Sequence, residues 1–244
     1  MSKHTDTFEW AKERHKTYNP GHEVKRQLAR KIIVPLVGPS AVGKSFLTRR
    51  VTELDPTFSE MATITTRASR SNDPDHVMSG VGMDEFAEMI EAGELVQFEP
   101  HPSGSLYGTT PDCYVGNKIV ASILSTGIKN YQKLGFRKVM PMGITAPTDT
   151  WSRRLGERAG GDDFVDRLLE AKEVLKWMEI YMHTIPILNN ETNHGAEVAR
   201  EIISLTSNPT SNNLGVLKKR GFIVDMQNFV NRALIAQGRV SDEQ

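Results

Sequence analysis

The chain has 244 residues, 38% of them apolar, and 30 Lys and Arg balance 30 Asp and Glu. Zero net charge argues against a basic nucleic-acid binder and against an acidic disordered tail protein. A single cysteine excludes an internal disulfide, and no apolar run approaches the ~18 residues that span a bilayer. The polar beginning, MSKHTDTFEWAKERHK, has no apolar segment of the kind a secretion signal needs. The expectation is a soluble, cytoplasmic protein with one domain of about 150–200 residues plus extensions, and no nucleic-acid or membrane partner.

Residues 1–30 read as a polar extension in which two short helices could flank a turn at Asn19-Pro20-Gly21. Phe8, Trp10 and Leu28 are its apolar anchors. Lys31–Val37 reads as a buried strand and Ser45–Leu54 as a helix. Lys118–Leu124, Arg137–Ile144 and His183–Leu188 are further strands. Pro35 and Pro141 remove ladder donors, so their strands should be short or interrupted. Asp163–Met182 has apolar residues at helical spacing: Phe164, Leu168, Leu169, Ala171, Leu175, Met178 and Met182. Ala196–Leu205 is a second helix. Strands alternating with helices imply an α/β fold with a mostly parallel sheet flanked by helices. Residues 207–216 read as a linker. Phe222–Gln237 reads as an amphipathic helix that docks on the body or joins a partner, docking being the favoured reading, with Val224, Phe229, Val230, Leu234 and Ile235 apolar and Gly238 as its stop.

The sharpest signal is Gly38-Pro39-Ser40-Ala41-Val42-Gly43-Lys44-Ser45, which matches the phosphate-loop pattern between a strand and a helix. Its glycines let the backbone curl so that successive N–H groups face phosphate oxygens, and the following helix adds its positive end. Lys44 would neutralise the β- and γ-phosphates of ATP, and the Ser45 hydroxyl would ligate Mg²⁺. Seven histidines show no metal-ligand spacing, and Cys113 reads as a packing residue.

With that loop, several motifs in order resemble the guanylate kinase family over residues 31–206. Thr65-Thr66-Arg67-Ala68-Ser69-Arg70 is similar to a segment whose arginines grip the acceptor's phosphate. Asp84-Glu85-Phe86 through Glu91-Ala92-Gly93-Glu94-Leu95 resembles a family helix and turn. Leu106-Tyr107-Gly108-Thr109 is similar to a phosphate-binding turn. Arg153-Arg154-Leu155-Gly156-Glu157-Arg158, followed by Arg167, resembles the lid arginines. The resemblance implies a P-loop kinase fold with a small acceptor-binding subdomain at about 60–112 and a helical lid at about 154–167, leaving 207–244 as linker and C-terminal helix. It implies nucleotide contacts from Gly38, Ser40, Ala41, Val42, Gly43, Lys44, Ser45, Phe46 and Asn189. Acceptor contacts would come from Thr63, Arg67, Arg70, Gln97, Tyr107 and Thr109, and catalytic roles from Lys44, Arg154, Arg158 and Arg167.

The residue chemistry agrees with those roles. Paired guanidinium forks at Arg67 and Arg70 suit one phosphate group. Tyr107 sits in a turn where a phenol can donate to phosphate. Arg154 and Arg158 are one helical turn apart and share a face; with Arg167 they could close over a transferring phosphoryl group. The glycines of 159–162 suit a moving lid.

Departures from the resemblance fall on the base-reading side. Gln97 stands where the family has a glutamate. Ser122 and Leu124 stand where it has acids, and Asp75-His76-Val77-Met78 occupies the place of a family tyrosine. An amide offers one acceptor and one donor where a carboxylate accepts twice from guanine. The expected activity is transfer from ATP to a small phosphate acceptor, a nucleoside monophosphate bearing guanine or another base. A sugar-phosphate kinase and a non-catalytic binding module are the alternatives. The sequence leaves the oligomeric state open.

Overall fold

A computed structural model describes residues 6–69, 77–101, 104–158, 162–181, 185–189, 195–208 and 213–239. In chain order these form α1 (Thr7–Thr17), α2 (His22–Leu28), β1 (Ile32–Val37), α3 (Lys44–Leu54), β2 (Phe58–Glu60), β3 (Thr63–Thr65), β4 (Val77–Ser79), α4 (Met83–Ala92), β5 (Gln97–Pro100) and β6 (Leu106–Thr109). After them come β7 (Lys118–Ser122), α5 (Ile128–Lys133), β8 (Lys138–Val139), β9 (Met142–Thr145), α6 (Thr148–Arg158), α7 (Asp162–Ile180), β10 (Ile185–Leu188), α8 (Ala196–Ser207) and α9 (Asn213–Ala236). Contacts divide the chain into two units. The first comprises Met1–Ile33, Ser59–Ile119 and Lys129–Val139, the second Val34–Phe58, Val120–Ile128 and Met140–Gln244.

The larger sheet has the order β10-β9-β1-β7-β2, with β8 beside β1. β1 is an apolar run whose Ile33, Val34, Leu36 and Val37 are fully buried, as a strand covered on both faces requires. The break at Pro141 is as expected, whereas β1 runs through Pro35. Arg137–Ile144 is not one strand. β1 pairs in parallel with β8 through Ile32–Lys138 and Ile33–Val139, then with β9 through Leu36–Met142 and Val37–Gly143. Pro35 and Pro141 occupy the gap between the two ladders, where neither has an N–H to give. β10 continues in parallel on β9.

In the second unit, α9 packs along α7 and also touches β9, β10 and α6. It begins at Asn213, well before the expected Phe222 and inside the expected linker. Its buried stripe is Ile223, Met226, Val230 and Leu234, and Val224 faces outward at 45% exposure. On α7, Leu168, Ala171, Leu175 and Met178 are buried as expected, whereas Leu169 is 41% exposed. Met182 lies outside the described residues.

The first unit holds a four-stranded sheet in the order β4-β3-β6-β5. Its strands of three or four residues are too short to leave a periodic signature, and sequence reading does not resolve them. β3 pairs antiparallel with β6, and β6 with β5, through Thr65–Tyr107, Gln97–Thr109 and Glu99–Tyr107. Alternation therefore places Thr65, Tyr107, Glu99, Gln97 and Thr109 on one face, and Ile64, Phe98 and Gly108 on the other. That second face meets α4. A Cβ on Gly108 would lie 2.7 Å from Phe86 Cζ, so only glycine lets the ring approach.

The polar extension belongs to this unit. α1 starts on Asp6, whose carboxylate accepts from the Glu9 N–H at 3.0 Å, and it lies against β5 and α4. His15 and Tyr18 meet the Phe98 ring edge-on, with centroids 5.5 and 5.1 Å away. The Tyr18 hydroxyl donates to the Leu95 carbonyl at 2.7 Å, and burial pushes this phenol up to about 12. Phe8 and Trp10 are half-buried and Leu28 is fully buried.

Candidate functional site

The loop between β1 and α3 is held from behind by three side-chain and main-chain constraints. Gly38 packs so tightly that a Cβ there would sit 2.6 Å from the Ile144 carbonyl oxygen of β9. Trp151 of α6, fully buried, donates its indole N–H to the Ser40 carbonyl at 2.8 Å. Asn189, 2% exposed at the end of β10, donates its amide N–H to the Val42 carbonyl at 2.8 Å. Between these anchors the backbone is left-handed twice, at Ala41 (φ 62°) and Gly43 (φ 101°). Ala41 is the only non-glycine with positive φ among the described residues. An L-residue there costs about 1–2 kcal/mol, so the surrounding contacts must hold the turn.

Lys44 opens α3 with its ammonium folded back into the loop, donating to the Gly38 carbonyl at 2.6 Å and the Pro39 carbonyl at 2.9 Å. Burial lowers its pKa to about 8, against an upward pull from Glu170 and a further downward push from Arg158 and Arg167. Those influences bring the lid arginines and an unforeseen acid to the cradle. Glu170 also accepts from Arg167 Nη1 at 3.3 Å, while Arg167 Nε pairs with Asp163 at 3.3 Å. Arg154 Nη1 lies beside Gly43, 3.9 Å from where a Cβ would stand. Ser45 and Phe46 are exposed at the start of α3, and Phe46 rests against Gly195 at the head of α8. Asn189 is thus a support behind the loop, buried and already bonded. Ser122 is exposed at the end of β7 and Leu124 is 51% exposed.

The first unit gathers most of the acceptor set on one sheet face. Thr63, Gln97 and Tyr107 are half-buried there. Thr109 is fully buried, and its hydroxyl bonds to that of Tyr114 at 2.8 Å. Tyr114 in turn donates to Tyr131 at 3.5 Å, and Tyr131 donates to Met61 Sδ at 3.5 Å and is hydrogen-bonded to the Gln97 side chain. Burial pushes both phenols well up, so they stay protonated. Two expected acceptor residues, Thr109 of the phosphate-binding turn and Gln97, are therefore linked through two buried tyrosines that sequence reading passes over. Arg67 stands after β3, its N–H donating to Thr65 Oγ1 at 3.1 Å and its guanidinium to the Ala68 carbonyl at 2.7 Å. Arg70, the lid glycines of 159–161 and the tyrosine-replacing run to His76 lie outside the described residues. Glu99 lies 3.2 Å from His15 Nε2 of α1.

Trp151 and Glu170 were also not anticipated. A large aromatic residue ahead of the arginine pair was the one available signal, since a buried indole seeks an acceptor. Glu170 had none beyond its helical spacing from Arg167.

The loop chemistry makes a checkable expectation. Phosphate favours the charged ammonium, and in the free protein Lys44 loses its proton near pH 8. ADP affinity is expected to be flat below that pH and to fall up to about tenfold per unit above it. ADP's terminal phosphate, whose second pKa is about 6, is essentially fully ionised from pH 8 upward, so the fall above that pH does not come from the ligand. Calorimetric titration at pH 7, 8, 9 and 10 reads this directly, and a flat profile to pH 10 would remove Lys44 from the contact.

A buried parallel strand, a glycine loop and a following helix, with helices covering the sheet, define the class as an α/β P-loop kinase fold. The crystal structure of guanylate kinase from Anaplasma phagocytophilum has this fold, with a TM-score of 0.50 at 17% identity, over 88% of this chain and 100% of that one. No protein-family model matches the chain. Among curated relatives, guanylate kinase of Nocardia farcinica is 37% identical over 113 residues, 45% of this chain and 58% of that protein's length. Guanylate kinase of Lactococcus lactis is 28% identical over 184 residues, 71% of this chain and 87% of that protein. The chain is thus similar in sequence to several guanylate kinases and shares the fold of a solved one. No helix among the described residues is long and apolar enough to cross a membrane.

Proposed function

We propose that the protein is an ATP-dependent nucleoside monophosphate kinase whose acceptor base is read by an amide in place of a carboxylate. The observation that carries this reading is the cradle: a left-handed loop with a desolvated lysine folded into it and three arginines beside it. In the transfer, loop N–H groups and Lys44 bind the phosphate tail of ATP. Arg154, Arg158 and Arg167 neutralise charge that grows as the phosphoryl group leaves. The acceptor phosphate is already ionised near neutral pH, so no general base is required. Arg67 and Tyr107, with Arg70, would hold it, and Thr63 and Gln97 would face its nucleoside; Thr109, fully buried and bonded to Tyr114, supports them from behind and is not a contact.

Mg²⁺ would travel with ATP, shielding phosphate charge. Among the described residues no group of three or more His, Cys, Asp or Glu could hold a metal. The donor set therefore fits an ion carried mainly by the nucleotide's oxygens and water, with the exposed Ser45 hydroxyl as its protein ligand.

The test is a panel of GMP, AMP, CMP, UMP and a sugar phosphate, each with ATP and Mg²⁺. Turnover of a nucleoside monophosphate is expected; turnover of none, or of the sugar phosphate alone, overturns the proposal. Gln97→Glu restores a second acceptor for guanine. A hydrogen bond to a charged group contributes about 1.5–3 kcal/mol, so kcat/KM for GMP should rise by about tenfold or more in that variant.

A further inference from the structure

Trp151 stands between the phosphate loop and the C-terminal helix, touching both. Its indole N–H holds the Ser40 carbonyl at 2.8 Å, and its ring meets Phe229 of α9 edge-on at 5.8 Å and 76°. No described peptide bond is cis. In a trans peptide the carbonyl and the next N–H point in opposite directions. An indole that fixes the Ser40 carbonyl therefore fixes the Ala41 N–H on the other side of the loop, away from Trp151. Ala41 is the residue held at φ 62°, the backbone setting that a free loop would abandon first. Phe229 also borders a cavity of about 560 Å³ that Thr148, Asp149, Asp225 and Arg232 help to line, so open space lies beside it.

We propose that Trp151 is a positioning residue for the phosphate loop, and that Phe229 sets Trp151, which makes α9 part of the nucleotide site at one remove. This rests on the reading that the loop binds nucleotide phosphates. α9 supplies no group to the ligand. It seats the ring whose N–H aims a main-chain donor, and tight anion binding depends on donors being aimed before the anion arrives.

The experiment uses the full chain with ADP as the probe. Trp151→Phe keeps an aromatic ring in place and removes the N–H together with part of the indole's volume. It should weaken ADP binding about five- to tenfold while the melting temperature without ligand falls by only a few degrees. Phe229→Leu should weaken it in the same direction by a smaller factor. In ¹⁵N-labelled wild-type protein, the indole resonance that Trp151→Phe deletes should move on ADP saturation more than those of Trp10 and Trp177. Unchanged ADP affinity in Trp151→Phe, or a Trp151 indole resonance unmoved at saturation, overturns the proposal. If Trp151→Phe does not fold, Phe229→Leu at wild-type ADP affinity overturns it instead. Wild-type protein that binds no ADP at all sinks the phosphate-loop reading itself, which is a separate result.

Discussion

Lys44→Ala is expected to lower phosphoryl transfer by about a thousandfold or more while leaving the chain folded. Single preorganised donors at a developing charge contribute about 10²–10³, and cations at a transferring phosphoryl group about 10³–10⁵. The ammonium is bonded inside the loop, to the carbonyls of Gly38 and Pro39. Its removal should not cost stability, because burial already disfavours its charged form. Initial rates with saturating ATP and the best acceptor, set beside a melting curve, separate the two effects. A variant that melts like wild type and turns over like wild type would exclude the lysine from the chemistry.

Gly43→Ala should be damaging for a different reason. At φ 101° an L-residue is strained, and its Cβ would lie 2.3 Å from Asn189 Nδ2. Asn189 would have to leave the Val42 carbonyl, so a buried donor and a buried acceptor would both lose their partner. Backbone strain and a broken buried hydrogen bond together cost about 2–4 kcal/mol. That corresponds to a fall in Tm of roughly 5–15 °C for a chain of this size. ADP binding should weaken further, because the loop between Val42 and Lys44 is displaced. The double variant Gly43→Ala with Asn189→Ala relieves the collision but not the strain, so it should melt above the single Gly43 variant. A single variant that melts with wild type would mean the loop has room that its packing does not show.

The cradle was legible because its signal is local. A buried run, a glycine pattern and a helix start follow one another within about twenty residues, and each has its own residue chemistry. The helical placement of Arg154 and Arg158 was legible for the same reason, since the two are related by helical geometry alone. What holds the loop was not legible. Trp151 and Asn189 reach it from 111 and 147 residues away in the chain, and nothing in a linear reading joins an indole to a particular carbonyl. The small sheet failed for want of length, since three-residue strands such as β3 and β4 cannot display alternation. Its site face became readable only through register, which sets Gln97 opposite Thr109 and Glu99 opposite Tyr107. The extension at the beginning reads only as polar with a few apolar anchors, because its hydrophobic content is low. It is anchored by aromatic edges and one phenol, features that depend on what they meet.

The interleaving of the two units governs how the chain can fold as it is synthesised. The first unit is not complete until Val139 has been made, since it needs Lys129–Val139 as well as the opening segment. Tyr18 must wait for a carbonyl 77 residues downstream, and the strand ahead of the phosphate loop must wait for β9 and then β10. At about 5–20 residues per second, ribosomes leave such segments without partners for several seconds or longer. The polar character of residues 1–30 then has a plain use: a segment that must stay unpaired that long is safest when it is well hydrated.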